Sequence, residues 1–200
     1  EFFDAAGPQL KTVATMSVGF DHIDVAECKK RGILTGYTPG VLHHTVAELT
    51  VALLLATTRR LSPAIDSVRN NGWGTWEPLG YCGTDIWGKT LGICGMGEIG
   101  LEVVKRMRGF GCHIIYSDIR RKPDWENEYQ IEYVSMDDLL KRSDFISIHT
   151  TLNQHTRKMF NMEKFKMMKK DAIIVNTSRG PVIDQEDLIK ALQQGIIGGA

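Results

Sequence analysis

The sequence lacks the features that mark several classes of protein. Lysine and arginine together number 24, as do aspartate and glutamate, so the chain has no net charge. No basic cluster is larger than Arg120–Lys122, which leaves no broad positive field, and we expect no nucleic-acid partner. The longest apolar run, Val51–Ala56, is far shorter than the roughly 18 residues that span a bilayer. We therefore predict no membrane segment.

The sequence has few cysteines, and their spacing does not match that of a metal site. None of the four cysteines forms a CxxC pair, so we expect no metal site. Cys94 and Cys112 lie in apolar, strand-like runs, as buried free thiols do, which favours a reducing compartment and a cytoplasmic protein. The start at Glu1 has neither a methionine nor a basic n-region, and Ile196–Ala200 stops inside a strand-like run. We expect the chain to be an internal fragment.

Short apolar runs alternate with helical patterns from about residue 88 onward. This alternation predicts an α/β fold, a doubly wound parallel sheet with helices on both faces. The predicted strands are Thr90–Cys94, His113–Ser117, Phe145–His149, Ala172–Asn176 and one near Ile196, and the predicted helices are Ile99–Arg108, Met136–Arg142, Met162–Lys169 and Gln185–Gln193.

A second, smaller pattern precedes this region. Leu10–Ala14 and Ile33–Thr35 are predicted strands on either side of a helix at Val25–Lys30. The next predicted helix, His44–Arg60, has apolar residues all round, so we expect it to be deeply buried. It is a candidate core helix between two domains.

The segment Gly95–Gly100 carries a GxGxxG motif that follows a strand and opens a helix. The first glycine makes the tight turn, Gly97 lets a pyrophosphate approach the backbone, and Gly100 lets helix and strand pack closely. The helix N-terminus supplies unpaired N–H groups for the phosphates. Glu98, inside this turn, is interpreted as an acid that complements the helix dipole and points away from the phosphates.

Asp118 ends the next predicted strand, at close to the expected spacing of about 20 residues from the glycines. We predict that it binds the hydroxyls of the adenosine ribose. Capping of the next helix is the alternative. An aspartate here repels a 2′-phosphate, which favours NAD(H). NADP(H) stays possible because Arg120 and Arg121 lie close enough in sequence to bind that phosphate.

Two further loops are candidates for anion binding. Arg179 follows the strand Ala172–Asn176, at the sheet edge where ligands bind in parallel folds. Its guanidinium suits a carboxylate, although a surface ion pair is the alternative. The stretch Ser17–His22 has small residues that leave backbone N–H groups free for an anion. The aromatic side chains of the loop Trp73–Tyr81 are expected to be buried, either against their own domain or against another subunit.

Together these elements resemble the D-2-hydroxyacid dehydrogenase family, in its glyoxylate/hydroxypyruvate reductase branch. The resemblance covers essentially the whole chain, in the right order. Besides the glycine turn it rests on Thr15–His22, Gly36–Pro39, Val46–Leu49, Trp73–Leu79, Ser143–Ile146 and Asn176–Gly180.

The resemblance implies hydride transfer from NAD(P)H to a short 2-oxo acid, such as glyoxylate or hydroxypyruvate, giving the D-2-hydroxy acid. It assigns Arg179 to the substrate carboxylate and carbonyl, and Val18 and Gly19 to the carboxylate through their amides. It implies a homodimer in which Trp76 lies at the interface. The cofactor contacts that it implies, with those of the glycine turn, are Gly95, Gly97, Glu98, Ile99, Gly100, Asp118, Thr150, Thr151, Thr177 and Ser178.

The same resemblance divides the chain. Residues 1–41 are part of a flavodoxin-like substrate domain, and residues 42–200 are an NAD(P)-binding domain that is incomplete at its C-terminal end. The family's general-acid histidine and its glutamate come later than residue 200, so we expect the fragment alone to be inactive. His149 is interpreted as a structural residue on the cofactor side. The chain departs from the family at Thr151, where proline is usual, and at Glu98, where arginine is frequent.

Two alternatives stay open. One is an NAD(H)-sensing protein like the family's corepressors, in which nucleotide controls association; the aromatic loop favours the enzyme. The other is a dehydrogenase for another 2-hydroxy acid, such as 3-phosphoglycerate. That substrate needs basic residues for its phosphate, and the sequence indicates none.

Overall fold

A computed structural model describes all residues from Glu1 to Ala200. The chain forms two compact units, Glu1–His43 and His44–Ala200. No helix is both long and apolar enough to cross a membrane.

The first unit is a small parallel strand pair with two helices. Its elements are α1 (Phe2–Ala6), β1 (Thr12–Ala14), α2 (Val25–Lys30) and β2 (Leu34–Gly36). The two strands are parallel, with Thr12 opposite Leu34. Asp24 begins α2 by accepting a hydrogen bond from the Glu27 amide at 2.9 Å. The predicted strand, helix and strand are confirmed, whereas α1 was not predicted.

The second unit is built on one five-stranded parallel sheet in the order β5-β4-β3-β6-β7. The order reverses at β3, as in a doubly wound fold. The elements are α3 (His43–Thr58, whose first residue belongs to the other unit), α4 (Leu61–Arg69), β3 (Thr90–Cys94), α5 (Glu98–Met107), β4 (His113–Ser117), α6 (Pro123–Tyr129), β5 (Glu132–Tyr133), α7 (Met136–Arg142), β6 (Phe145–Ile148), α8 (Met162–Met167), β7 (Ile173–Asn176) and α9 (Gln185–Gln193).

Side chains from alternate positions of the strands enter two separate hydrophobic layers. One layer contains Ile146 and Ile174 and is covered by residues of α7, α8 and α9, including Phe165. The other contains Ile93 and Val175 and is covered by residues of α3, α5 and α6. Strands buried on both faces read as continuous apolar runs, which is why the sequence predicted them correctly.

Two predictions about this unit are wrong. The expected strand near Ile196 is only an isolated bridge between Ile173 and Gly199, because the two backbone hydrogen bonds made by Gly198 and Gly199 do not extend into a ladder. Helix α3 is not deeply buried within this unit: one stripe packs on the sheet layer, while Leu49 is 54% and Leu53 is 40% exposed.

An ion-pair cluster joins α3 to α5. Glu102, which is buried, binds Lys105 at 2.7 Å and Arg106 at 2.6 Å, and it contacts His44 Nδ1 at 2.9 Å. The hydrogen bonds from Lys105 and then Arg106 lower the pKa of Glu102 to about 2. The carboxylate is therefore charged at all ordinary pH values and holds α3 against the helix that follows the glycine turn.

Candidate functional site

The turn between β3 and α5 has room only for glycine at two of its positions. Gly95 adopts a φ of +96°, and a Cβ there would lie 2.8 Å from the carbonyl carbon of His149. A Cβ on Gly100 would lie 2.5 Å from the carbonyl oxygen of Gly95. These close approaches bring the start of α5 against the end of β3, as the motif predicts.

Gly97 is different, because a Cβ there would meet no atom within 4 Å. It is the N-cap of α5 and has no side chain to occupy the first amides of the helix. The N–H groups at the start of α5, at Glu98, Ile99 and Gly100, therefore have no helical partner and carry the positive end of the helix dipole. The open space beside them fits a pyrophosphate, and the glycine turn meets the requirement of a dinucleotide.

Asp118 follows β4 and lies beside this turn. Its Oδ2 accepts a hydrogen bond from the Met96 amide at 2.6 Å, and its Oδ1 accepts one from the Arg120 amide at 2.9 Å. An ionised carboxylate has about four lone-pair positions, so both oxygens keep capacity for hydroxyl donors. The acid is thus held in place by backbone groups and remains able to bind a ribose.

The loop after Asp118 is fixed by a buried phenol. Tyr116 donates to Glu126 at 2.6 Å and accepts from the Lys122 amide at 2.7 Å. Burial and the neighbouring Glu126 raise the pKa of Tyr116 to about 12. Glu126 in turn binds Arg121 through both carboxylate oxygens. Of the two arginines near Asp118, Arg121 is already paired, whereas the Arg120 side chain is exposed.

Three residues after β6 reach the same edge of the sheet. The hydroxyl of Thr150 is buried and has no hydrogen-bond partner, and the Thr150 amide lies close to Gly95. Such an orphaned polar group costs free energy unless a ligand completes it. Thr151 is exposed, and its carbonyl accepts from Thr156. His149 contacts Ser147 at 2.8 Å, and burial lowers the pKa of His149 to about 4, so the imidazole is neutral at neutral pH.

The loop after β7 is organised by Asn176. Its Oδ1 accepts hydrogen bonds from both the amide and the hydroxyl of Ser178, and its Nδ2 donates to the Arg179 carbonyl at 2.9 Å. Arg179 is half-buried, and its Nη1 donates to the Ser178 carbonyl at 2.9 Å. Sequence reasoning did not single out Asn176, although asparagine is the residue that typically closes such turns.

A second anchor of this loop also went unpredicted. Thr177 makes a hydrogen bond to Thr50 of α3 at 2.8 Å. No local pattern reveals a contact between residues so far apart in the chain.

In the first unit, the loop after β1 contains two backbone amides that donate no hydrogen bond within the loop. Thr38 donates to the Ser17 carbonyl at 3.1 Å, and the Ser17 hydroxyl donates to the Gly19 carbonyl. Neither Val18 nor Gly19 donates a backbone hydrogen bond. The loop is therefore held by its carbonyls, and anion binding by these two N–H groups stays a prediction.

The aromatic loop is not covered within this chain. Trp73 stacks on Tyr81 with 5.9 Å between the ring centroids. Trp76 is 77% exposed and Leu79 is 82% exposed. The loop therefore does not pack on its own unit, and another subunit is the cover that stays a prediction.

The parallel sheet, the glycine turn at its switch point and the acid on the neighbouring strand define a dinucleotide-binding domain of the Rossmann type. The sequence profile described as "D-isomer specific 2-hydroxyacid dehydrogenase, NAD binding domain" matches residues 51–200. The chain therefore belongs to the D-isomer specific 2-hydroxyacid dehydrogenase family, and the resemblance noted in the sequence is confirmed.

Several relatives carry names for one activity. A glyoxylate reductase of Korarchaeum cryptofilum is 48% identical over 100% of this chain and 60% of its own length. The glyoxylate reductase/hydroxypyruvate reductase of Homo sapiens is 46% identical over 98% of this chain and 60% of its own. The chain thus spans about 60% of the length of these curated relatives.

Solved structures agree with the fold. The D-lactate dehydrogenase of Aquifex aeolicus, complexed with NAD and lactic acid, is 36% identical with a TM-score of 0.89, covering 98% of this chain and 58% of that one. A protein of Thermus thermophilus called TT0316 is 41% identical with a TM-score of 0.88, covering 96% of this chain and 60% of that one.

Proposed function

We propose that the protein containing this chain reduces a short 2-oxo acid, such as glyoxylate or hydroxypyruvate, to the D-2-hydroxy acid with NAD(P)H. The observation that carries the proposal is the position of Arg179, at the carboxyl end of β7 in the same sheet as the glycine turn. An anion-binding arginine beside a dinucleotide site suits an acid that accepts a hydride. The names of the relatives support the same substrate class.

The cofactor is proposed to be NADH in preference to NADPH. The start of α5 and Gly97 would hold the pyrophosphate, Asp118 the adenosine ribose, and Thr150, Thr151, Thr177 and Ser178 the other half of the dinucleotide. When bound, the reduced nicotinamide supplies the hydride. Two features disfavour binding of the 2′-phosphate of NADPH. Asp118 carries a negative charge, and Arg121 is already paired with Glu126.

Substrate binding is proposed to use one charged side chain and two amides. Arg179 would bind the carboxylate and polarise the carbonyl, where negative charge develops during reduction. The free amides of Val18 and Gly19 would also bind the carboxylate. Holding both reactants in line removes several kcal/mol of entropic barrier.

Protonation of the new alkoxide is proposed to depend on the family's histidine and glutamate, which match no residue of this chain. His149 lies at the carboxyl edge of the sheet, but with a pKa of about 4 it carries no acidic proton at neutral pH. We accordingly propose that residues 1–200 alone bind nucleotide weakly and reduce nothing.

The assembly is proposed to be a homodimer in which Trp76 lies at the interface. Its exposure, together with that of Leu79, supports a partner surface at this loop.

We also propose that residues 1–41 belong to the substrate domain and residues 42–200 to the NAD(P)-binding domain. The free cysteines fit a reducing compartment such as the cytoplasm.

The test is steady-state kinetics of the full-length protein with glyoxylate, hydroxypyruvate and 3-phosphoglycerate. We expect turnover of the first two acids. Arg179→Gln should lower kcat/KM by about 10²- to 10³-fold, as loss of a donor to a developing oxyanion does. Arg157→Gln, an exposed arginine on another loop, is the control. Tight NADH binding without turnover of any 2-oxo acid would support a nucleotide sensor instead.

A further inference from the structure

A hydrogen bond across the domain reaches the loop that carries Arg179. Thr50 Oγ1 on α3 lies 2.8 Å from Thr177 Oγ1, although 127 residues separate them. Thr50 is fully buried, with 1% of its surface exposed. We propose that Thr50 is a positioning residue that fixes the proton of the Thr177 hydroxyl, so that this hydroxyl offers only lone pairs to the nicotinamide carboxamide. The proposal rests on the proposed cofactor.

The direction of this hydrogen bond follows from the other contact of Thr50. Its hydroxyl also lies 2.8 Å from the Val46 carbonyl oxygen, to which it donates. A carbonyl can only accept, and a hydroxyl has a single proton. The proton of Thr50 is therefore used by Val46, and Thr177 donates to Thr50. Both contacts of a buried hydroxyl are satisfied only in this arrangement.

The Ser178 hydroxyl can also only accept a hydrogen bond from a ligand, because its proton has another partner. Its hydroxyl donates to Asn176 Oδ1 at 2.7 Å. The two successive hydroxyls of this loop, at Thr177 and Ser178, thus have their protons committed inside the protein. Toward a ligand, each presents lone pairs alone.

The place of Thr177 in the sheet indicates which end of the dinucleotide it meets. The glycine turn follows β3, Asp118 follows the neighbouring β4, and Thr177 follows β7 on the opposite side. Strands lie about 4.8 Å apart, so two strand spacings put the end of β7 about 10 Å from the end of β3. With the adenosine half beside β4, the nicotinamide half extends toward β6 and β7.

Because the Thr177 hydroxyl can only accept a hydrogen bond from a ligand, it distinguishes between the two ends of the nicotinamide carboxamide. Its NH₂ donates two hydrogen bonds and its oxygen only accepts. An acceptor-only hydroxyl matches the NH₂ and leaves the oxygen unmatched. The fixed proton therefore favours one rotamer of the carboxamide and discriminates against a cofactor that lacks the NH₂.

The experiment measures binding, without turnover, by the full-length protein. The probes are NADH and its reduced 3-acetylpyridine analogue, in which a methyl group replaces the NH₂. Their dissociation constants are measured by calorimetric titration for the native protein, Thr50→Val, Thr50→Ser and Thr57→Val. Thr57 is the matched control, because its hydroxyl makes the same bond to a carbonyl of α3, that of Leu53 at 2.8 Å, with no side-chain partner.

The native protein should bind NADH about three- to tenfold more tightly than the analogue, the value of one neutral hydrogen bond. In Thr50→Val the released Thr177 hydroxyl can turn and donate to the carbonyl oxygen that both probes carry. The preference should then fall toward one. Thr50→Ser and Thr57→Val should keep the native preference.

An unchanged preference in folded Thr50→Val, with NADH still bound, would overturn the role of Thr50 alone. If Thr50→Val does not fold, Thr177→Val decides: loss of the preference supports the acceptor role of this hydroxyl, and its retention overturns it. Failure of the native protein to bind NADH would instead overturn the proposed cofactor.

Discussion

The carboxylate of Asp118 accepts a hydrogen bond from the backbone amide of Met96, with 2.6 Å between Oδ2 and the nitrogen. This contact joins the end of β4 to the glycine turn that follows β3. The acid and the turn therefore keep a fixed separation, as the proposed binding of a ribose and a pyrophosphate by one nucleotide requires.

Asp118→Asn should reverse part of the cofactor choice. The variant loses charge-assisted hydrogen bonds of about 1.5–3 kcal/mol, so we expect the dissociation constant of NADH to rise by about tenfold or more. NADPH should bind more tightly, because the charge that repels its phosphate is gone. Fluorescence titration with both nucleotides measures the ratio. Asp124→Asn, in the first turn of α6, is the control, and a native preference for NADPH would contradict the assignment.

Glu126→Gln should increase the effect of the Asp118 substitution. Glu126 holds Arg121 through an ion pair of 2.7 Å, and the neutral variant releases that guanidinium for a 2′-phosphate. In the Asp118→Asn background we expect NADPH affinity to rise by a further three- to tenfold or so, the value of about one exposed ion pair or hydrogen bond. Glu128→Gln on the same helix should leave the ratio unchanged. If Glu126→Gln and Glu128→Gln changed NADPH affinity equally, the role of Glu126 would be refuted.

Two glycines of the same turn should respond differently to alanine. Gly97→Ala adds a methyl group to open space, so the melting temperature should stay close to native while NADH binding falls by tenfold or more, roughly the value of a lost close approach to phosphate. Gly95→Ala forces a side chain onto a φ of +96° against His149, and should destabilise the fold by about 1–3 kcal/mol. Thermal melts and titration together separate these cases. Normal NADH binding by Gly97→Ala would contradict the proposed position of the phosphate beside Gly97.

Acid should weaken the contact between α3 and α5. Hydrogen bonds from Lys105 and Arg106 lower the pKa of Glu102 to about 2 from its usual 4.5. The stabilisation is therefore fully present above pH 4.5 and is lost as the pH falls toward 2. Glu102→Gln should lower the free energy of unfolding at pH 7 by about 1–3 kcal/mol.

Urea unfolding at several pH values measures the effect of Glu102. The variant should show a weaker dependence on pH below 4.5 than the native protein. Glu48→Gln removes only an exposed partner of Arg106 and should change little. A steep native slope that persists unchanged in Glu102→Gln would assign acid sensitivity to other groups.

The parts of the fold that the sequence predicted are those with a strong local signal. The strands β3 and β4 match their predicted bounds, because strands buried on both faces are apolar throughout. Helix α6, which begins at Pro123, and the two-residue β5 were missed because they are short and polar. The expected strand near Ile196 failed because a strand depends on a ladder of partners, which an apolar run does not guarantee.

The candidate site divides in the same way. The glycine turn and Asp118 can be predicted together because one supersecondary unit contains both. Their roles, like those of Arg179, Val18 and Gly19, stay predictions. The anchor from Thr50 to Thr177 could not be found, because only the folded topology brings α3 to the end of β7. The burial of α3 was overestimated because an apolar sequence does not show what packs against each face.

The unsatisfied hydroxyl of Thr150 has a consequence for evolution. A buried hydroxyl without a partner costs about 1–3 kcal/mol, and a nucleotide bound as proposed would recover that cost by completing it. Selection for stability alone would replace Thr150 with valine, whereas selection for affinity would retain the threonine. If Thr150 binds the nucleotide as proposed, Thr150→Val would stabilise the ligand-free protein and weaken its affinity for the cofactor.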